Sequence, residues 1–249
     1  VEQLLMIEPN IIFTCVPEES LSYVYGKLVD SGVKFVRVLT GYVSSELKDL
    51  NELAPINERI VRVGYRGRKL SPSYGVLGEL KFKIGLEVKK ACQKRGISCD
   101  IEWTEDKRIY GDYWYQWLSS VKSTLITESG ANVFDFDGSI KRECDLAALE
   151  GRKISDECFE LIRTRDSEIS MAQISPRVFE ALSYGCALVG YEGNYSGILE
   201  PNIHYISLKK DHSNLDEVLD QIKDDERLNE VWRKAYDDVI LSNSYNYNS

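Results

Sequence analysis

Short apolar runs alternate along this chain with longer stretches in which apolar side chains return every three or four positions, the two periods that mark strands and helices. Residues 10–15 (Asn-Ile-Ile-Phe-Thr-Cys) predict a strand, 18–28 a helix, 34–39 a second strand and 44–50 a short helix. Residues 51–58, with Pro55 and no clear period, read as a linker. A second series then begins. Ile60-Val61-Arg62-Val63 predicts a strand that breaks at the polar run from Gly64 to Lys69, and a helix over 78–95 places Leu80, Ile84, Val88 and Ala91 on one face. Lys89, Lys90, Lys94 and Arg95 crowd its last turns and Gly96 closes it, as the helix dipole and a left-handed cap prefer. Strands follow at 99–103, 124–127, 187–189 and 204–208, and helices at 113–121, 175–185, from Asn214 onward, and around Leu228, Trp232, Ala235 and Val239. Residues 139–170 are charged and read as an excursion holding a helix near 156–162, and the Asn-, Ser- and Tyr-rich stretch 242–249 reads as a surface extension. Strands separated by helices of ten or more residues imply right-handed crossovers, hence an α/β fold with a parallel sheet and helices on both faces. The linker divides it into residues 1–57 and 58–249.

Composition narrows the class. The chain has 249 residues, 43% hydrophobic and 10% aromatic, enough for a packed core. Its 40 acidic against 31 basic residues give a formal charge of -9, which repels a phosphate backbone and argues against nucleic acid as a partner. Six cysteines are scattered without a Cys-x-x-Cys pair and only two histidines accompany them, so we expect reduced, structural thiols and a cytoplasmic setting rather than a disulfide framework or zinc site. No signal peptide and no run of the roughly 20 apolar residues a membrane span needs is visible. The sequence opens at Val1 within a helical pattern, which we read as part of a longer protein.

The best-punctuated helix carries the candidate chemistry. Ser175 suits an N-cap, Pro176 the first helical position and Gly185 the left-handed stop. Arg177 and Glu180, three apart, share one face, where they either pair with each other or contact one small molecule. In a parallel sheet, ligands bind beyond the carboxyl ends of the strands, where helix N-termini point. Four polar segments fall at such ends: Gly64-Tyr65-Arg66-Gly67-Arg68, Glu128-Ser129-Gly130, Ser175 to Glu180, and the turn containing Tyr195-Ser196-Gly197. Glycines admit close backbone approach, Arg66, Arg68 and Arg177 can neutralise phosphates, and Glu180 can accept from ribose hydroxyls. A diphosphate between a nucleoside and a sugar fits this mix. Asp135 and Asp137 invite a metal reading, but Asp-x-Asp-Gly is also an ordinary turn and no third ligand is apparent, so no metal is expected. Trp114 and Trp117 read as core, and His204 as a structural histidine.

Ser175-Pro176-Arg177-Val178-Phe179-Glu180-Ala181 followed by Gly185 resembles the donor-binding helix of nucleotide-sugar glycosyltransferases of the GT-B fold, in particular the "glycosyl transferases group 1" C-terminal domains of bacterial surface-polysaccharide enzymes. Gly64 to Arg68, Glu128 to Gly130 with Val133-Phe134-Asp135, and Tyr195 to Pro201 resemble further blocks of such proteins. The resemblance implies that residues 58–249 form a Rossmann-like donor domain and 1–57 a truncated acceptor-side Rossmann segment. It implies transfer of a sugar from a nucleotide-diphosphate sugar to a glycan or lipid-linked acceptor, with no cofactor beyond that substrate, and allows peripheral membrane association of the full-length protein. Glu180 matches the second, ribose-binding glutamate of the family's Glu-x7-Glu motif, while Ala172 stands where the first would fall. Arg66, Arg177 and Glu180 would then carry catalysis, with Gly64, Tyr65, Gly67, Arg68, Glu128, Ser129, Gly130, Ser175, Pro176, Tyr195, Ser196 and Gly197 lining the donor site. A nucleotide-sugar epimerase on the same plan and a binding module without catalysis are the alternatives.

Overall fold

The computed structural model describes residues 2–44 and 53–246. The expected helix at 44–50 and the start of the expected linker lie outside the described residues. The chain falls into two compact units, one formed by Val1–Thr40, Ser71–Gly78 and Ser129–Gln173, the other by Gly41–Leu70, Glu79–Glu128 and Ile174–Ser249.

In the first unit, α1 (Glu2–Ile7) precedes β1 (Ile11–Thr14), which pairs in parallel with β2 (Lys34–Arg37), Ile11 opposite Lys34. The helix expected over 18–28 is interrupted. Only Leu21–Tyr25 (α2) is α-helical, because Gly26 turns to φ +53° and the flanking residues tighten into 3₁₀ turns. The charged excursion contains two helices, α5 (Ser139–Glu150) and α6 (Asp156–Glu168), numbered in chain order after α3 and α4 of the second unit. Val133, Ile140, Cys144, Cys158 and Ile162 bury against one another, with Ile154 beside them, so two of the cysteines are core side chains. Asp135 and Asp137 cap α5: Asp135 accepts from the Lys141 amide at 2.8 Å and Asp137 from the Ser139 amide at 3.0 Å. Among the described residues no group of three His, Cys, Asp or Glu side chains could hold a metal ion.

The second unit is built on five parallel strands, β3 (Val61–Arg66), β4 (Cys99–Glu102), β5 (Val121–Ile126), β6 (Ala187–Tyr191) and β7 (Ile206–Leu208), in the order β4-β3-β5-β6-β7. It is the Rossmann-like α/β sheet that the alternating pattern predicts. Every residue of β5 and β6 is buried, as strands covered on both faces require. The helices are α3 (Gly75–Lys94, whose first turn is counted with the first unit), α4 (Asp112–Ser120), α7 (Pro176–Ser183), α8 (Leu215–Lys223) and α9 (Asp225–Ala235). Successive residues of β3 show both faces covered. The Tyr65 ring lies beside Gly85 of α3, and Gly64 faces Trp117 of α4.

Strand β3 runs three residues beyond its predicted end, so Gly64, Tyr65 and Arg66 are strand rather than loop. Sequence reading stops at Gly64 because glycine usually ends a strand. Here a Cβ on residue 64 would lie 2.7 Å from the Trp117 ring, and the glycine is what lets that indole rest on the strand. Two buried cations tie the layers together. Arg59 donates to the carbonyls of Val121 at 2.9 Å and Ala54 at 3.0 Å. Lys122, 6% exposed in its side chain, pairs with Asp225 at 2.8 Å, which also accepts from Arg62 at 2.6 Å. The C-terminal stretch is less detached than its composition suggests. Tyr245 accepts a 2.7 Å hydrogen bond from the Val43 amide and packs on Phe179 of α7. No described helix is long and apolar enough to cross a membrane.

Candidate functional site

The sheet winds from β3 outward to β4 and then returns past β3 to β5, so β3 stands where the direction of winding reverses. At such a point the connections leave in opposite directions and open a crevice beyond the carboxyl ends of the strands. A cleft of about 400 Å³ lies there, wholly within the second unit. Arg66 and Gly67 at the end of β3 form one wall, Arg108 to Gly111 after β4 and Trp114 and Tyr115 on α4 a second, and Ser175, Pro176, Arg177 and Glu180 at the start of α7 a third.

Local chemistry explains each placement. Pro176 opens α7 with a residue that has no N–H to leave unsatisfied, and the Val178 amide bonds the Ser175 carbonyl at 3.0 Å. The expected N-cap is corrected in one respect: the Ser175 side chain makes no capping bond, its backbone does, and the residue faces the cleft. Gly185 adopts φ +78° just past the helix, as its position predicts. Gly67 admits the Tyr65 ring, since a Cβ there would lie 2.6 Å from it.

The charged groups differ sharply in how committed they are. Arg66 donates to the Asp100 carboxylate at 2.7 Å and to the Asp100 carbonyl at 2.9 Å, lies 4.7 Å over the Trp117 ring, and leaves only 11% of its side chain exposed. Asp100 also accepts from the Trp117 indole at 2.6 Å. Burial pushes the Asp100 carboxyl up, but the hydrogen bonds from Arg66 and Trp117 outweigh it and hold the group below its ordinary value. Arg66 is therefore largely neutralised by its own neighbour. Arg108 is shared between Glu105 at 2.9 Å and the Tyr110 hydroxyl at 2.8 Å. Arg177 is exposed, donates to the Arg66 carbonyl and lies 5.2 Å over the Trp114 ring, and among the described residues no carboxylate reaches it. Glu180 accepts from the Trp114 indole at 2.8 Å through one oxygen, and its other oxygen has no partner among the described residues. The cleft thus presents an uncompensated guanidinium at a helix beginning, an available carboxylate oxygen one turn on, and aromatic faces from Tyr110, Trp114 and Tyr115.

The other sequence candidates have different surroundings. Gly64 seats Trp117. Tyr65 is buried, donates to the Lys81 carbonyl at 2.8 Å, and burial pushes its hydroxyl up to about 12. Arg68 is exposed and is not among the lining residues. Glu128 accepts from the amides of Asn194 and Tyr195, both at 2.9 Å, and so pins the turn that follows β6. Tyr195 is fully buried and donates to the Tyr191 carbonyl at 2.7 Å, Ser196 accepts from the Ile174 amide at 3.0 Å, and Gly197 takes φ +76°. None of these three lines the cleft. Ser129 and Gly130 belong to the first unit, where Ser129 pairs with Gln173 in an antiparallel bridge and a Cβ on Gly130 would meet the Met171 carbonyl at 2.3 Å. His204 is buried and structural, bonded to the Glu200 amide and to Asp238, each at 3.0 Å.

Sequence reading missed Asp100, Arg108, Ile109, Tyr110, Gly111, Trp114 and Tyr115. A signal existed in the run Tyr113-Trp114-Tyr115, which places large aromatics on consecutive positions of one short helix, more than one buried face can absorb.

No family model matches the chain, and no curated protein matches it. Among solved structures it is similar to the crystal structure of TarM, at 11% identity and a TM-score of 0.48 over 98% of this chain and 43% of that one. It is also similar to the crystal structure of the GtfA/B complex, at 12% identity and a TM-score of 0.39 over 96% of this chain and 44% of that one. The chain spans less than half the length of either, and likenesses this distant leave the cleft itself to speak for function.

Proposed function

We propose that the second unit binds a nucleoside-diphosphate sugar in this cleft and that the protein transfers the sugar to an acceptor hydroxyl. The observation that carries the reading is the shared placement of Arg177 and Glu180 on the first turns of α7, facing Arg66 and Gly67 across one cleft at the switch point of a parallel sheet. The diphosphate lies against Arg177 and the start of α7, where the Ser175 side chain makes no capping bond. The available oxygen of Glu180 accepts from the ribose hydroxyls. As the glycosidic C–O bond breaks, its electron pair passes to the departing diphosphate, while the acceptor oxygen bonds the sugar and its proton passes to the departing diphosphate or to water. Negative charge therefore grows on the diphosphate, and a fixed guanidinium and helix beginning stabilise the transition state more than the bound donor. Arg66, closed in its pair with Asp100, supports this mainly by fixing the Arg177 side chain through its carbonyl. The acceptor we propose is a glycan or lipid-linked sugar of a polysaccharide or glycoconjugate pathway.

Calorimetric titration with uridine, guanosine and adenosine diphosphates tests the reading. Saturable binding of one of them, competed by its sugar conjugate, is the expected result. Absence of binding by all three overturns it.

A further inference from the structure

Arg177 and Glu180 stand three residues apart on one helix, the spacing at which opposite charges ordinarily pair, yet no ion pair joins them among the described residues. Trp114 engages both. Its indole N–H donates to a Glu180 oxygen at 2.8 Å, and the Arg177 guanidinium lies over its ring at 5.2 Å. Trp114 is in turn held by a nearly parallel stack on Trp117, with centroids 5.1 Å apart and planes at 19°. Trp117 is fixed by its 2.6 Å bond to Asp100 and by its seat on Gly64. A chain of contacts thus runs from strands β3 and β4 through two indoles to the charged pair on α7.

We propose that Trp114 is a positioning residue that holds Arg177 and Glu180 apart, so that each remains available to a ligand, and that without it the two collapse into an ion pair which neutralises the cleft. A hydrogen bond to one charge and a π face under the other satisfy both without cancelling either, which no aliphatic side chain can do. The arrangement stands on these contacts alone. Its consequence for binding rests on the nucleotide-sugar reading.

The test uses Trp114→Phe, which keeps a ring but lacks the N–H, Trp114→Ala, which removes both contacts, and the double variant Trp114→Ala/Glu180→Ala. Calorimetry is run with inorganic pyrophosphate and with uridine, guanosine and adenosine diphosphates. The Phe variant should bind pyrophosphate within about twofold of the parent and lose about tenfold for the nucleoside diphosphate that the parent binds, a tenfold loss being that of one charge-assisted contact. The Ala variant should lose about tenfold or more for both, and removing Glu180 as well should restore most of the pyrophosphate affinity by releasing Arg177. Unchanged pyrophosphate binding in Trp114→Ala, or a double variant that binds no better, overturns the proposal.

A ligand-free arm separates it from the functional reading. Thermal midpoints of Arg177→Ala, Glu180→Ala and their combination should add in the parent and depart from additivity by about 1–2 °C in the Trp114→Ala background, the scale of a helical surface pair. Additivity in both backgrounds overturns the role of Trp114. Non-additivity together with a parent that binds no nucleotide overturns the nucleotide-sugar reading alone.

Discussion

At the scale of single residues, the arginines of the cleft differ in what they can offer. Arg66 has its charge met by Asp100 at 2.7 Å, whereas Arg177 meets only a carbonyl and an aromatic face. A phosphate gains most from the guanidinium that has no anion to give up. Arg177→Ala should therefore weaken a nucleoside diphosphate by about 1–3 kcal/mol while barely altering the bare nucleoside. Glu180→Ala should weaken both by a similar amount, because on the proposed reading the lost acceptor serves the sugar hydroxyls that both ligands share. Calorimetry of the two variants against the paired ligands checks this, and equal losses of nucleoside and nucleoside diphosphate in Arg177→Ala would remove that residue from the phosphate subsite.

At the scale of elements, Gly185 shows how a single backbone position sets the end of α7 and the entry to β6. It combines φ +78° with a backbone so close to Arg59 that a Cβ would lie 2.3 Å from a guanidinium nitrogen. Gly151, at the end of α5, has φ +64° and nothing within 4 Å of such a Cβ. Gly151→Ala should thus cost about 1 kcal/mol, the strain of a left-handed alanine. Gly185→Ala should cost on the order of 2–4 kcal/mol, because Arg59 must also give up buried hydrogen bonds to Val121 and Ala54. Urea unfolding of both variants reads the difference, and equal losses would show that Arg59 gives way freely. The same elements mark what the sequence made legible. The alternation of apolar runs and helical periods, and the Ser-Pro…Gly punctuation of α7, are local signals, and they located the strands, the helix and the two charged residues on it. The end of β3 and the second helical wall of the cleft were not legible, because Gly64 and Trp117 make sense only together, and they are far apart in sequence. Trp114, which reads as core from its size alone, becomes cleft wall because it stacks on Trp117, which rests where the strand beneath has no side chain. In the same way, Glu128 and Tyr195 read as ligand-facing from their polar turns, but Glu128 gives one oxygen to two backbone amides of the turn and Tyr195 its hydroxyl to a backbone carbonyl, and neither lines the cleft.

At the scale of the whole molecule, an acidic chain with a formal charge of -9 keeps several of its carboxylates for internal cations. Asp225 is the clearest, bound at once to Lys122 and Arg62. Burial pushes its carboxyl up, yet the bond from Lys122 and the charge of Arg62 outweigh burial and leave it below its ordinary value. The Asp100 carboxyl is likewise held low on balance by Arg66 and Trp117, and that of Asp238 by Lys234 and His204. A carboxyl whose folded value lies below its unfolded one stabilises the fold fully above the unfolded value, about 4, and loses that contribution as the pH falls through the folded value. Stability should therefore be flat from neutral pH to about 5 and decline steeply below 4. Asp225→Asn should lower it at neutral pH by about 3 kcal/mol, since Lys122 is then left buried without its counter-charge. The variant should also decline less steeply in acid, because the proton that would have disrupted the pair has no carboxylate to bind. Denaturation midpoints of both proteins measured from pH 7 to pH 2 decide the matter: parallel curves would show that Asp225 takes no part in the acid transition, and converging curves that the buried Lys122–Asp225 pair is one of the groups that set it.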